Sequence, residues 1–224
     1  MDSLLERVQA LSLIAILSYS LPVILVSFIR KRESTENWLM VCFAYSLVSE
    51  ICALTLMYFR FNPNYAVNQY NLLSSFCLFA FFYHAIPGGK SKWAFVIPAA
   101  IISVAVCFTF FRYGVDGHIS YTMALQSIAI IAYSLIYFYR TMKELPDGEI
   151  SKQPMFWIIS GFFLSYAGKF FVYAVSRYLL DWYNDNLILL WDVHNGLTVV
   201  GNSLILAGVI IRLSRKHSRA RIVA

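Results

Sequence analysis

The chain has 224 residues, 59% of them hydrophobic and only 13% charged, with a mean hydropathy of +0.64 and a net charge of +6. That composition excludes an ordinary soluble domain and points to an integral membrane protein. The Lys and Arg surplus sits mostly between apolar runs, so no nucleic-acid partner is needed to explain it.

Seven apolar stretches occur in order at 8–29, 38–59, 67–87, 93–111, 119–139, 155–179 and 187–211. Each approaches the roughly 20 residues needed to cross the hydrocarbon. The opening "MDSLLER" has two acids before its only base and no small-residue cleavage site follows, so the first stretch is expected to stay as a membrane helix. Pro22 and Pro98 fall inside the first and fourth stretches, where each removes a backbone hydrogen bond and bends the helix. Cys42, Cys52, Cys77 and Cys107 lie within spans and read as small apolar packing residues. His84 and His118 lack metal-ligand company, and no metal or cofactor is expected.

Lys and Arg orient the spans. Thirteen fall on one side (Arg30, Lys31, Arg32, Lys90, Lys92, Arg140, Lys143, Lys152 and the five of the tail from Arg212 to Arg221) and four on the other (Arg7, Arg60, Arg112, Arg177). The positive-inside rule then places the N-terminus outside and the C-terminus in the cytoplasm. Trp38, Trp93 and Trp157 mark the inner interface, Trp182 and Trp191 the outer one.

The chain also resembles itself. "ALSLIAILSYSL" at 10–21 aligns without gaps on "ALQSIAIIAYSL" at 124–135, with eight of twelve residues identical. Trp38, Phe43, Ser46 and Glu50 then align on Trp157, Phe162, Ser165 and Lys169, and, more weakly, Asn68 and Asn71 on Asp192 and Asn195. The expected fold is all-α: two parallel three-helix repeats, 1–89 and 113–224, joined by a linker helix at 90–112 and related by a pseudo-twofold axis along the membrane normal.

The candidate chemistry sits on these repeats. A charge at mid-bilayer costs about 3 kcal/mol or more, so Glu50 and Lys169 are expected to face inward and pair across the axis, with Asp192 as a second partner for the lysine. The alternative is that such a pair only fixes helix register. Small-residue stripes around Ser46, Ser49 and Ala53 and around Gly161, Ser165 and Gly168 allow close helix contact. Asp192, Asn195, Thr198 and Asn202 share one helical face, which reads either as a polar pocket or as interhelical hydrogen bonding. The candidate ligand-binding residues are Glu50, Asn71, Lys169, Asp192, Asn195 and Asn202. Catalysis is not expected, since H-E-x-x-H, G-x-S-x-G, phosphate loops and paired intramembrane aspartates are all missing. A retinal Schiff base is disfavoured because the last span has no lysine.

"PMFWIISGFFLSYAG" at 154–168 with "LWDVHNGLTVVGNSLILAGVI" at 190–210 resembles small seven-helix membrane proteins of Bacteroidetes, free-standing or forming the membrane part of sensor histidine kinases. Phe156, Trp157, Ile158, His194 and Asn195 carry the likeness, which implies a sensory role. The chain ends twelve residues after Arg212 without a kinase module, so output is expected to pass to a separate cytoplasmic or membrane signalling protein. The three-plus-one-plus-three plan is also similar to that of SWEET-type transporters, which share architecture without implying function. The resulting expectation is a non-enzymatic, multi-pass sensor of the bacterial inner membrane that binds a small molecule. The rival is a small-solute transporter with Glu50 as proton-coupling carboxylate.

Overall fold

The computed structural model describes residues 2–29, 32–59, 61, 64–86, 93–113, 120–144, 150–182 and 187–223. The side chains of Asn68, Trp182 and Trp191 and of the tail beyond Arg215, and the residues His118, Arg30, Lys31, Lys90 and Lys92, lie outside what is described, as does the expected boundary at 89–90, while the one at 112–113 falls within α4 (Trp93–Tyr113). Among the described residues the chain is all-helical. It forms α1 (Asp2–Ser27), α2 (Ser34–Tyr58), α3 (Asn64–Ala85), α4 (Trp93–Tyr113), α5 (Ser120–Glu144), α6 (Pro154–Trp182) and α7 (Leu187–Val223), with a 3₁₀ turn at Ile150–Lys152 before α6.

Four helices are long and apolar enough to cross a membrane: Ser34–Leu56, Tyr121–Glu144, Pro154–Ala174 and Asp192–Arg215. Shorter apolar stretches, Ser12–Ser27 and Trp93–Phe108, run within α1 and α4. The outer surface agrees with a lipid environment. Leu13, Leu17, Leu21 and Ile24 on α1 and Val96, Ile101, Val104 and Phe108 on α4 are all exposed, giving two separate apolar faces of a kind that soluble monomers rarely show.

Six helices close a ring through the contacts α1·α2, α2·α3, α3·α5, α5·α6, α6·α7 and α7·α1, while α4 packs on α3 and α5. In that ring α2 stands opposite α6. The closest helix approach is α6 on α7, where glycines leave no room for a side chain. A Cβ on Gly208 would meet the Pro154 carbonyl oxygen at 2.6 Å, and one on Gly161 would strike the carbonyl of Gly201. Ser165 Oγ fastens the same seam by donating to the Leu197 carbonyl at 3.1 Å.

The ring is stoppered by aromatic side chains. Phe43, Phe81, Phe82 and Phe162 are all buried, with Phe162 lying 6.4 Å from Phe43, 5.2 Å from Phe81 and 5.9 Å from Phe82 between ring centroids. Edge and tilted contacts of this kind add to plain burial.

Candidate functional site

Beyond this phenylalanine plug, away from the Arg212 end of the bundle, α1, α2, α3, α6 and α7 enclose a polar chamber of about 30 Å³. Room for about one water needs ~10–15 Å³, so the chamber holds one or two waters or a single small ion. Its wall is apolar at Cys42, Phe43, Leu78, Phe162 and Ile205 and polar at Tyr19, Ser46, Tyr70, Ser74, Ser165, Tyr166, Lys169 and Asn202. The hydroxyls are tied to one another and to backbone. Ser46 Oγ donates to the Cys42 carbonyl at 2.9 Å and lies 3.1 Å from Tyr70 Oη, and Ser74 Oγ donates to the Asn71 carbonyl at 3.3 Å.

Lys169 is 6% exposed, its Nζ stands 5.4 Å from the centroid of the Tyr166 ring, and among the described residues it makes neither hydrogen bond nor ion pair. A cation over an aromatic face is favoured, the more so when water is excluded. Glu50 and Lys169 sense each other's charge but do not meet in a direct ion pair; among the described residues the ion pairs are those of Arg212. The expected direct contact is therefore replaced by a longer separation, with Glu50 Oε1 buried and without a hydrogen-bond partner. Around the two charges stand Tyr19, Tyr70 and Tyr173, each within electrostatic reach of Glu50, and His194, within reach of Lys169. His194 Nδ1 and Tyr173 Oη are 2.9 Å apart.

The other sequence candidates divide. Asn202 lines the chamber and donates to Ser18 Oγ at 2.8 Å. Asn71 and Asn195 instead sit at helix seams. Asn71 Nδ2 donates from α3 to Thr122 Oγ1 on α5 at 2.7 Å, and Asn195 Nδ2 from α7 to Ser12 Oγ on α1 at 3.4 Å. Asp192 is partly buried, and its Oδ1, like Asn71 Oδ1, has no partner.

On the basic side of the plug a wider vestibule of about 550 Å³ is lined by residues of α2, α3, α5, α6 and α7, among them Glu36, His84, Tyr137, Glu144, Arg212 and Arg215. Its rim is fixed by a clamp from α7 to the start of α2. Arg212 Nε donates to Glu36 Oε1 at 2.7 Å and its other arm pairs with Glu33, while Glu36 Oε2 accepts the Glu33 backbone N–H at 2.9 Å. Glu36 thereby caps the helix and grips Arg212 at once.

Two parts of this arrangement escape a reading of the sequence. Tyr19, Tyr70, Tyr166 and Tyr173 are four of fifteen tyrosines in the chain and carry no mark that separates them from interfacial ones. The clamp had a signal: Glu36 sits three residues into a helix start, a capping position, beside Glu33 in an otherwise basic loop. No protein-family model, no curated protein and no solved structure matches the chain.

Proposed function

We propose that the protein is a non-enzymatic, seven-span sensor or receptor-like module of the bacterial inner membrane, with its basic end in the cytoplasm. A small ligand taken into the central chamber shifts the two three-helix halves against each other, and a separate signalling protein reads the change at the basic end. The observation that carries this reading is Lys169, a buried cation with no direct counter-ion among the described residues, on the wall of a small chamber. Leaving a buried polar group unsatisfied costs about 1–3 kcal/mol, more for a charge, so such a group is poised to take a ligand.

Support for two equivalent halves comes from contacts between aligned residues. Phe43 touches Phe162, its counterpart, as residues beside a twofold axis do. Asn71 ties α3 to α5 and its counterpart Asn195 ties α7 to α1, which are equivalent seams of the ring. A ligand moves such a pair of halves only by binding their two arrangements unequally.

Transport is the second reading, favoured by the vestibule, whose volume suits a small solute. Spin labels at Glu144 and Arg215, both on the vestibule wall, separate the two in lipid vesicles. A distance distribution that changes in Glu50→Gln or Lys169→Met supports signalling. An unchanged distribution, together with solute uptake that Glu50→Gln abolishes, establishes transport instead.

A further inference from the structure

The geometry points to the central chamber as a binding site for a small inorganic anion of halide size, held by the Lys169 ammonium. The inference rests on the chamber being a ligand site and is indifferent to whether that site signals or transports.

Three features define the ligand. First is size: about 30 Å³ excludes a sugar, a vitamin or an amino acid and leaves room for a monatomic ion or its water equivalent. Second is sign. The chamber wall contains one full charge, that of Lys169, and no carboxylate, because Glu50 stands outside the lining.

Third is the state of the hydrogen-bond donors. Ser46 and Ser165 spend their protons on backbone carbonyls, of Cys42 and Leu197. Tyr70 Oη is 3.1 Å from Ser46 Oγ, and Ser74 gives its proton to the Asn71 carbonyl. Asn202 gives one of its two N–H groups to Ser18, which leaves the second. Lys169 has three N–H groups and spends none on the described residues. An anion beside Nζ would use these donors and supply the missing counter-charge. Water also fits the volume but brings no counter-charge.

The nearby carboxylate sets the sign of a control. Glu50 acts on the same site through its charge and repels an incoming anion, so neutralising it strengthens binding. The same step that weakens a structural ion pair thus tightens anion binding, and the two roles give opposite results.

The test uses the full chain in lipid nanodiscs. Thermal unfolding is followed at constant ionic strength while sodium gluconate is replaced by sodium chloride or bromide. Saturable halide stabilisation is expected in the wild type, tightened in Glu50→Gln and weakened about tenfold or more in Lys169→Met, the scale for losing a hydrogen bond to a charged group. Tyr166→Phe, which keeps the ring under Nζ and alters only the hydroxyl, guards against misfolding of the lysine variant and retains most of the affinity. Bromide anomalous scattering from crystals places the ion directly. A halide response equal in wild type and Lys169→Met, absent altogether, or traced to surface bromide alone overturns the site. If halide binds in the chamber but label distances across the vestibule stay fixed, the anion site stands and the signalling reading falls. If no halide binds while those distances respond to Glu50→Gln, the reverse holds.

Discussion

Phe43 of α2 and Phe162 of α6 meet with their ring centroids 6.4 Å apart, between the vestibule on the basic side and the polar chamber beyond. Their neighbours Phe81 and Phe82 complete the stopper, so the two water-accessible volumes are separated by side chains alone.

Removing one ring should join them. Phe162→Ala deletes a side chain packed on three others and is expected to destabilise the protein by about 3–5 kcal/mol. It also exposes Cys42, which is 6% exposed and lines the chamber beside Phe43. In a background with Cys52, Cys77 and Cys107 replaced by serine, a small water-soluble thiol reagent should label Cys42 in Phe162→Ala and not in the wild type. Equal labelling of both would mean that the rings do not seal the chamber.

The glycines of α6 and α7 make a paired prediction. A methyl group on Gly161 would collide with the backbone of Gly201, which cannot yield without parting the helices, whereas one on Gly196 meets nothing within 4 Å. Gly161→Ala should therefore cost about 1–3 kcal/mol through overpacking. Gly196→Ala should gain up to about 1 kcal/mol from helix propensity. Opposite shifts of the unfolding midpoint are expected, and shifts of the same sign would contradict the close α6–α7 crossing.

Asn71 and Asn195 should behave as fasteners. Interhelical hydrogen bonds in membranes average about 0.6 kcal/mol, and Asn71 already carries a buried Oδ1 without a partner. Asn71→Leu is accordingly expected to cost under about 1 kcal/mol and to leave the response of the chamber to added ligand unchanged, in contrast to Lys169→Met. A chamber silenced by Asn71→Leu would restore that residue to the binding site.

The spans themselves were legible because length and hydropathy decide them. The expected stretch 38–59 became α2, with Ser34–Leu56 long and apolar enough to cross, whereas 93–111 became α4, whose apolar part, Trp93–Phe108, is shorter than a full crossing. Lys169 was legible as an inward residue for the same reason, since lipid would not accept it. Rotation about each helix axis was harder to read. Exposed Leu13 and Leu17 and buried Ala15 and Tyr19 are all compatible with an apolar run, so periodicity does not separate the faces. Asn71 could thus be placed on α3 yet not assigned to the chamber or to the seam with α5. The Glu50–Lys169 separation also depends on side-chain packing around four tyrosines, which spacing along a helix does not specify.

The clamp at the basic end gives the last prediction. Glu36 is 6% exposed and receives Arg212 on one oxygen while the other caps α2, so Arg212→Ala strands a buried carboxylate at a helix start. Removing one partner of a buried pair costs about 3–5 kcal/mol, but the Arg212 side chain is 31% exposed and water would recover part of it, which lowers the expectation to roughly 1–3 kcal/mol. Arg212→Lys keeps the charge and loses the two-armed grip, so it should fall between wild type and Arg212→Ala. Glu33→Gln should matter least, because the Glu33 side chain is 67% exposed and contributes through a screened contact. Unfolding midpoints in nanodiscs should rank wild type, Glu33→Gln, Arg212→Lys and Arg212→Ala in descending order. Labels placed on α2 and α7 at the basic end should separate in Arg212→Ala. An Arg212→Ala variant as stable as the wild type, with the two helix ends still together, would show that packing and not the clamp closes the rim of the vestibule.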